Sequence, residues 1–321
     1  MDCLEAHDFL MNTVVEQKIF KESSHEVYKK AVDEVKRLEN MMSFFIDTSE
    51  VSQLNKLSGK GKVHISPEVM YVLKMAYKFS KMTQRAFDIT LAPVIDLWRR
   101  SGQLSRIPDK RELSKLLKLV GYKQIKIDDA NGMAGLARQG GAVDLGGIAK
   151  GYAADACIEL YKSMNVKSAF VNFGGNVKTL GKKPDGNDWV IGIQHPHKQR
   201  GKKFGVVLVS NKSVVTSGAY ERYFVVNGKR YHHILDCRTG WPSDSDLESV
   251  TVICENSTQA DALSTAAFVM GLEKAMEIID KFDETDAVLV TKDKKIYLTK
   301  GIKNNFYLTE SSSEYSCYAL A

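Results

Sequence analysis

Val143 to Asp155 reads VDLGGIAKGYAAD. The paired glycines Gly146 and Gly147, placed just before a helical pattern, let backbone amides come close to a phosphate, and a helix start favours negative charge. Lys150 adds a point charge. The spacing is neither that of a dinucleotide-binding GxGxxG nor that of a Walker loop. Taken alone, the stretch reads equally well as a tight turn.

The helix that follows runs to about Met164, and Ser168 to Phe173 is a buried strand ending in Gly174-Gly175. Trp189 to Gln194, Val206 to Ser210 and Tyr223 to Val226 read as strands, with Asp185-Gly186 and Asn227-Gly228 as turns. Val250 to Cys254 is a strand feeding a helix from Thr258 to Met270. A helix from Glu273 to Phe282 and a hairpin from Ala287 to Leu298 follow. Upstream, Met11 to Phe20 is an opening strand. His25 to Met42 is a helix with Val27, Ala31, Val35, Leu38 and Met42 on one stripe. Ser66-Pro67 and Asp109 each start a helix. Helices and strands mix without steady β-α-β alternation, which predicts an α+β fold. The expectation is a single domain over 1–309 and a Ser-rich, disordered tail over 310–321.

The 321 residues carry 44% hydrophobic and 26% charged side chains, the balance of an ordinary globular protein that needs no disulfides for its core. The net charge of +6 is spread out. The short run Lys198 to Lys203 has no interleaved aromatics, so a solvated loop is expected and no nucleic-acid partner. Cysteines at 3, 157, 237, 254 and 317 show no metal spacing and read as free thiols. Met1 to Phe9 lacks an apolar run, no lipid-attachment box is visible, and no stretch reaches the ~18 apolar residues of a membrane span. A cytoplasmic location is expected.

Four further stretches could carry chemistry. In QADALSTAAF, Asp261 and Thr265 stand four apart on one helix face. They make a partial site for a hard cation that keeps phosphates and waters as its other ligands. Alternatively, Asp261 only offsets the helix dipole. In YHHILDCRTGWP, His232 and His233 alternate across a strand, so one of them reaches any given site. In RAFDITLAPVIDLW, Phe87 and Trp98 read as core, and Asp88 needs a partner if buried. In VTSGAYERYF, Thr216 and Ser217 precede a Gly218 turn, without a nucleophile elbow.

Read in order, MNT at Met11, MSFFIDTSEVSQLN (Met42 to Asn55), AFDITLAP, VDLGGIAKGYAAD, VNFGGN, TSGAYERYF, HHILDCRTGWP and ADALSTAAFVMG resemble one family, the FAD:protein FMN transferases or ApbE-like flavin transferases. The resemblance spans about Met11 to Leu298. It implies an ApbE-like flavin transferase fold with mixed and antiparallel sheets and FAD bound between lobes. The implied reaction is Mg2+-dependent transfer of FMN from FAD to a Thr or Ser hydroxyl of an acceptor flavoprotein carrying a Ser/Thr-Gly-Ala-Thr-like motif, with release of AMP. Met11, Phe45, Ala86, Phe87, Asp88, Asp144, Lys150 and Ile234 match the FAD contacts. The Gly147 carbonyl, Asp261 and Thr265 match the magnesium ligands, and His233 the general base. Three positions depart from the family pattern: Asn12 for Gly, Phe45 for Tyr and Cys237 for Pro. A Mg2+-dependent FAD pyrophosphatase and a non-catalytic flavin-binding protein are the competing readings.

Overall fold

Met11 and Asn12 both take left-handed backbone conformations, φ 50° and 58°, in the computed structural model, which describes residues 3–319. Two consecutive positive φ values make the two-residue turn whose twist matches a hairpin, and Asn is among the residues that accept that conformation. The expected opening strand is therefore the second arm of a hairpin. Cys3–Leu10 pairs antiparallel with Thr13–Phe20. In the first arm Glu5, His7 and Asp8 interrupt the apolar residues and half-buried positions alternate with exposed ones, so it gave no apolar run to find.

That hairpin edges a nine-stranded sheet whose spatial order follows the chain. It runs Cys3–Leu10, Thr13–Phe20, Ser168–Phe173, Asn176–Leu180, Ser213–Gly218, Leu247–Cys254, Asp286–Thr291, Lys295–Leu298 and Ser316–Ala319. Each pairing is antiparallel except the last. Every residue of Leu247–Cys254 is buried, so this central strand is covered on both faces. A three-stranded sheet of Phe306–Leu308, Lys203–Val209 and Trp189–Gln194 adds Trp189, Phe204 and Phe306 to the same core.

The tail departs from expectation. Glu310–Ser312 forms a 3-10 turn and Ser316–Ala319 pairs in parallel with Lys295–Leu298. The composition is Ser-rich, but Tyr315 is buried against Phe204, with ring centroids 5.9 Å apart, and Glu314 pairs with Lys294 at 2.5 Å. One aromatic anchor and one ion pair order a segment that its serines alone would not. Leu320 and Ala321 lie outside the described residues.

The chain forms two compact units. One contains residues up to 39, 150–218 and 246 onward, with both sheets above; the other contains 40–149 and 219–245. The second unit holds a sheet of Lys62–His64, Met133–Leu136 and Ile125–Asp128, and helices that include Pro67–Met82 and Lys110–Leu117. Ser66 and Asp109 cap those two helices through their side chains, as expected. Trp98 organises its own cluster, within 6.0 Å of the rings of Phe224, Tyr231 and Trp241. Its indole N–H donates to the Gly240 carbonyl at 2.7 Å. This fixes the hairpin Tyr223–Val226/Lys229–His232 that leads into His233. Among the described residues no helix is long and apolar enough to cross a membrane.

Candidate active site

In the first unit, the helices Ala149–Ser163 and Ser257–Met270 meet at their N-terminal ends. A side-chain carbon at Gly151 would lie 2.3 Å from the Ser257 carbonyl oxygen, so only glycine permits the approach. That approach lets the Gly151 N–H donate to Asp261 Oδ2 at 2.9 Å, while Lys150 Nζ stands 3.7 Å from the same oxygen. A regular helix would give this N–H to the Gly147 carbonyl. Asp261 is only 5% exposed, and these two partners offset the cost of burying its charge.

Thr265 follows one turn later. Ser217, at the end of Ser213–Gly218, places its Oγ 3.2 Å from Thr265 Oγ1 and 2.9 Å from Ser264 Oγ. Ser264 Oγ donates to the Asp261 carbonyl at 3.0 Å. The result is a carboxylate beside hydroxyls, all oxygen donors with one full negative charge. This donor set fits Mg2+ and lacks the sulfur or imidazole that zinc favours. Asp261, Ser264 and Thr265 share one helix, whereas Ser217 joins them through tertiary contact.

Asp155 closes the VDLGGIAKGYAAD stretch. It accepts from the Ser257 and Thr258 backbone N–H groups at 2.9 and 2.8 Å and from the Thr258 hydroxyl at 2.6 Å, and it pairs with Lys178. Asn256 caps the same helix by accepting from the Gln259 N–H. Asp155 therefore sets where the helix bearing Asp261 begins. Its only sequence signal was a carboxylate one turn beyond Gly151.

In the second unit, Asp88 has found the partners its burial demanded. It accepts from the Thr90 N–H at 3.0 Å, the Thr90 hydroxyl at 2.6 Å and the Tyr122 N–H at 3.0 Å, and Arg85 Nε lies 3.4 Å away. Its side chain has no exposed surface, so the carboxylate shapes the Ala86-Phe87-Asp88 turn. Phe87 is buried, and a side-chain carbon at Gly147 would press within 3.1 Å of its ring. Asp144 Oδ1 accepts the Gly146 N–H at 2.8 Å, which tightens the glycine turn.

Phe45 is 62% exposed, edge-on to Phe44 and 5.4 Å from the Arg99 guanidinium. A large ring held open in this way suits stacking against a planar ligand. Met11, in the first unit, is half-buried at its hairpin turn, and the Ile234 side chain is buried.

The two histidines separate chemically. His233 is exposed, and its Nδ1 lies 3.1 Å from the Arg222 carbonyl, which also accepts the His233 backbone N–H. A carbonyl only accepts, so Nδ1 carries the proton and Nε2 presents a lone pair in the neutral ring. His232 Nε2 is instead turned to the Ser243 carbonyl at 3.1 Å. Cys237 is buried and donates to the Arg85 carbonyl. Burial, with Asp88 nearby, pushes its thiol up to about 12, so replacing proline there adds no nucleophile.

The sequence matches the ApbE family over residues 11–289. A FAD:protein FMN transferase of Klebsiella pneumoniae is 35% identical over 265 residues, covering 83% of this chain and 82% of that protein. One from Treponema pallidum is 32% identical, covering 92% and 86%. The crystal structure of an ApbE protein from Thermotoga maritima superimposes with a TM-score of 0.83 at 33% identity, over 97% of this chain and 98% of that one.

Proposed function

The chain belongs to the ApbE family and is a flavin-transferring enzyme, and on that premise we propose that it moves the FMN half of FAD onto a Thr or Ser hydroxyl of an acceptor protein and releases AMP. The observation that carries the reading is the oxygen cluster of Asp261 and Thr265, with Lys150 and the Gly151 N–H on the same carboxylate. Asp261, Thr265 and the Gly147 carbonyl are the proposed Mg2+ ligands. Use of the Gly151 N–H by Asp261 supports the carbonyl's part. Held by those residues, the ion would supply positive charge that favours departure of AMP.

The chain's own residues supply the rest. Met11, Phe45, Lys150, Ile234 and the Asp144 to Gly151 turn are the proposed FAD contacts. Asp88 holds the Ala86-Phe87 backbone in place. His233 Nε2 takes the proton from the acceptor hydroxyl as its oxygen attacks the phosphorus on the FMN side. The phosphorus–oxygen bond to AMP breaks as the new one forms.

The acceptor is a protein with a Ser/Thr-Gly-Ala-Thr-like segment. The chain's own Thr216-Ser217-Gly218-Ala219 is not that acceptor, since Thr216 is engaged with Thr251 at 2.9 Å inside the sheet. Incubation with FAD and Mg2+, with and without a candidate acceptor, tests the reading. AMP together with FMN mass on an acceptor Thr or Ser supports transfer. AMP without acceptor indicates a pyrophosphatase, and no AMP indicates a flavin-binding protein.

A further inference from the structure

We infer that Ser217 is a positioning residue that turns the lone pairs of Thr265 toward the cation, an inference that rests on the metal assignment proposed above. The hydroxyl cluster has a fixed direction. Ser264 has one proton, and the Asp261 carbonyl, which can only accept, takes it at 3.0 Å. In its 2.9 Å contact with Ser217, Ser264 must then accept, so Ser217 gives its proton to Ser264. Ser217 has none left for its 3.2 Å contact with Thr265, and Thr265 must be the donor there. The proton chain runs from Thr265 through Ser217 and Ser264 to the Asp261 carbonyl.

A threonine hydroxyl coordinates a hard cation through a lone pair, with its proton turned away. A Thr265 hydroxyl without an acceptor would rotate freely and point its proton at the ion for part of the time. Ser217 supplies that acceptor from the end of a strand in the nine-stranded sheet, while Ser264 is fully buried. The same chain ends on the backbone of Asp261, so both side-chain ligands are tied to one relay.

Mn2+ binding, followed by the free-ion electron paramagnetic resonance signal in the absence of FAD, separates this role from turnover. Ser217→Ala is expected to weaken Mn2+ binding about tenfold, equivalent to about 1.4 kcal/mol. Ser217→Thr, which keeps the hydroxyl, should bind close to wild type. In a Thr265→Val background, Ser217→Ala should cost nothing further, because its effect is exerted through Thr265. Unchanged binding by Ser217→Ala overturns the inference, as does an equal loss in the Thr265→Val background or a loss in Ser217→Thr equal to that in Ser217→Ala. If Asp261→Asn and Thr265→Val both bind Mn2+ as wild type does, the metal assignment itself has failed and the positioning role falls with it.

Discussion

Asp261 is a buried carboxylate held by one amide and one ammonium. Replacing it with asparagine keeps an acceptor for the Gly151 N–H and removes the charge. Asp261→Asn should therefore melt near the wild-type temperature yet lose at least about a hundredfold in FMN transfer, since a metal's electrostatic contribution amounts to several kcal/mol. Activity that survives in Asp261→Asn at limiting Mg2+ would sink the ligand assignment. Thr265→Val removes a neutral ligand that water can replace, so its loss should be smaller and partly recovered at high Mg2+. The histidines offer a second contrast. His233→Ala should still bind FAD but lose roughly 10²–10⁴-fold in flavinylation, the usual scale for a general base. His232→Ala should retain most activity, because its Nε2 is turned to the Ser243 carbonyl. Flavin fluorescence of the acceptor on a denaturing gel reads both variants, and an essential His232 with a dispensable His233 would reverse the assignment.

Two elements carry consequences of their own. The helices Ala149–Ser163 and Ser257–Met270 touch at Gly151, where an added methyl would meet backbone atoms of Ser257 and Thr258 that have nowhere to move. Gly151→Ala should cost about 1–3 kcal/mol, the range for overpacking, and should also weaken Mg2+ binding by displacing the Gly151 N–H from Asp261. Wild-type melting and wild-type metal affinity together would show that the helices separate freely. The C-terminal segment is tied down by titratable groups. His195 is buried, accepts the His197 N–H at Nδ1 and places Nε2 3.2 Å from Glu314. Burial, then the Lys198 charge, hold its pKa below the ordinary 6.5, with Glu314 opposing.

An unfolded or detached His195 takes up a proton as the pH falls through about 6.5, while the docked one resists it. Its contribution is therefore complete above that pH and declines as the pH falls toward the docked pKa. Amide protection of Ser316–Ala319, corrected for intrinsic exchange, should drop between about pH 7.5 and about pH 5. A flat profile would show that His195 does not couple to the tail.

At the scale of the whole molecule, FAD should bind more tightly than FMN by at least about tenfold, because FMN lacks the pyrophosphate and AMP that Lys150 and the glycine turn are proposed to recognise. Equal affinities in a fluorescence titration would remove the reason for a pyrophosphate site. Several elements were legible because each announces itself locally. Ser66-Pro67 and Asp109 mark helix starts by capping chemistry, Val250 to Cys254 by its apolar run, and Asp261 with Thr265 by a four-residue step. The ordered blocks from MNT to ADALSTAAFVMG carried the family itself. The strand Cys3–Leu10 was not legible because Glu5, His7 and Asp8 break up its apolar residues, and the anchored tail because its order comes from the core at Phe204, far along the chain.

Legible in the sequence alone is the set of groups that the proposed chemistry would use: one carboxylate and one hydroxyl on a helix face, a glycine turn with a lysine, and two adjacent histidines. Spacing along a helix or strand fixes such neighbours within a few residues. The state of those groups is set by contacts between elements distant in the chain. Ser217 meets Thr265 across 48 positions and Gly151 meets Asp261 across 110. The Arg222 carbonyl, 11 residues before His233, selects the ring tautomer. A hydroxyl's direction and an imidazole's tautomer are set by whichever acceptor the fold brings within hydrogen-bond reach, and no local pattern encodes that.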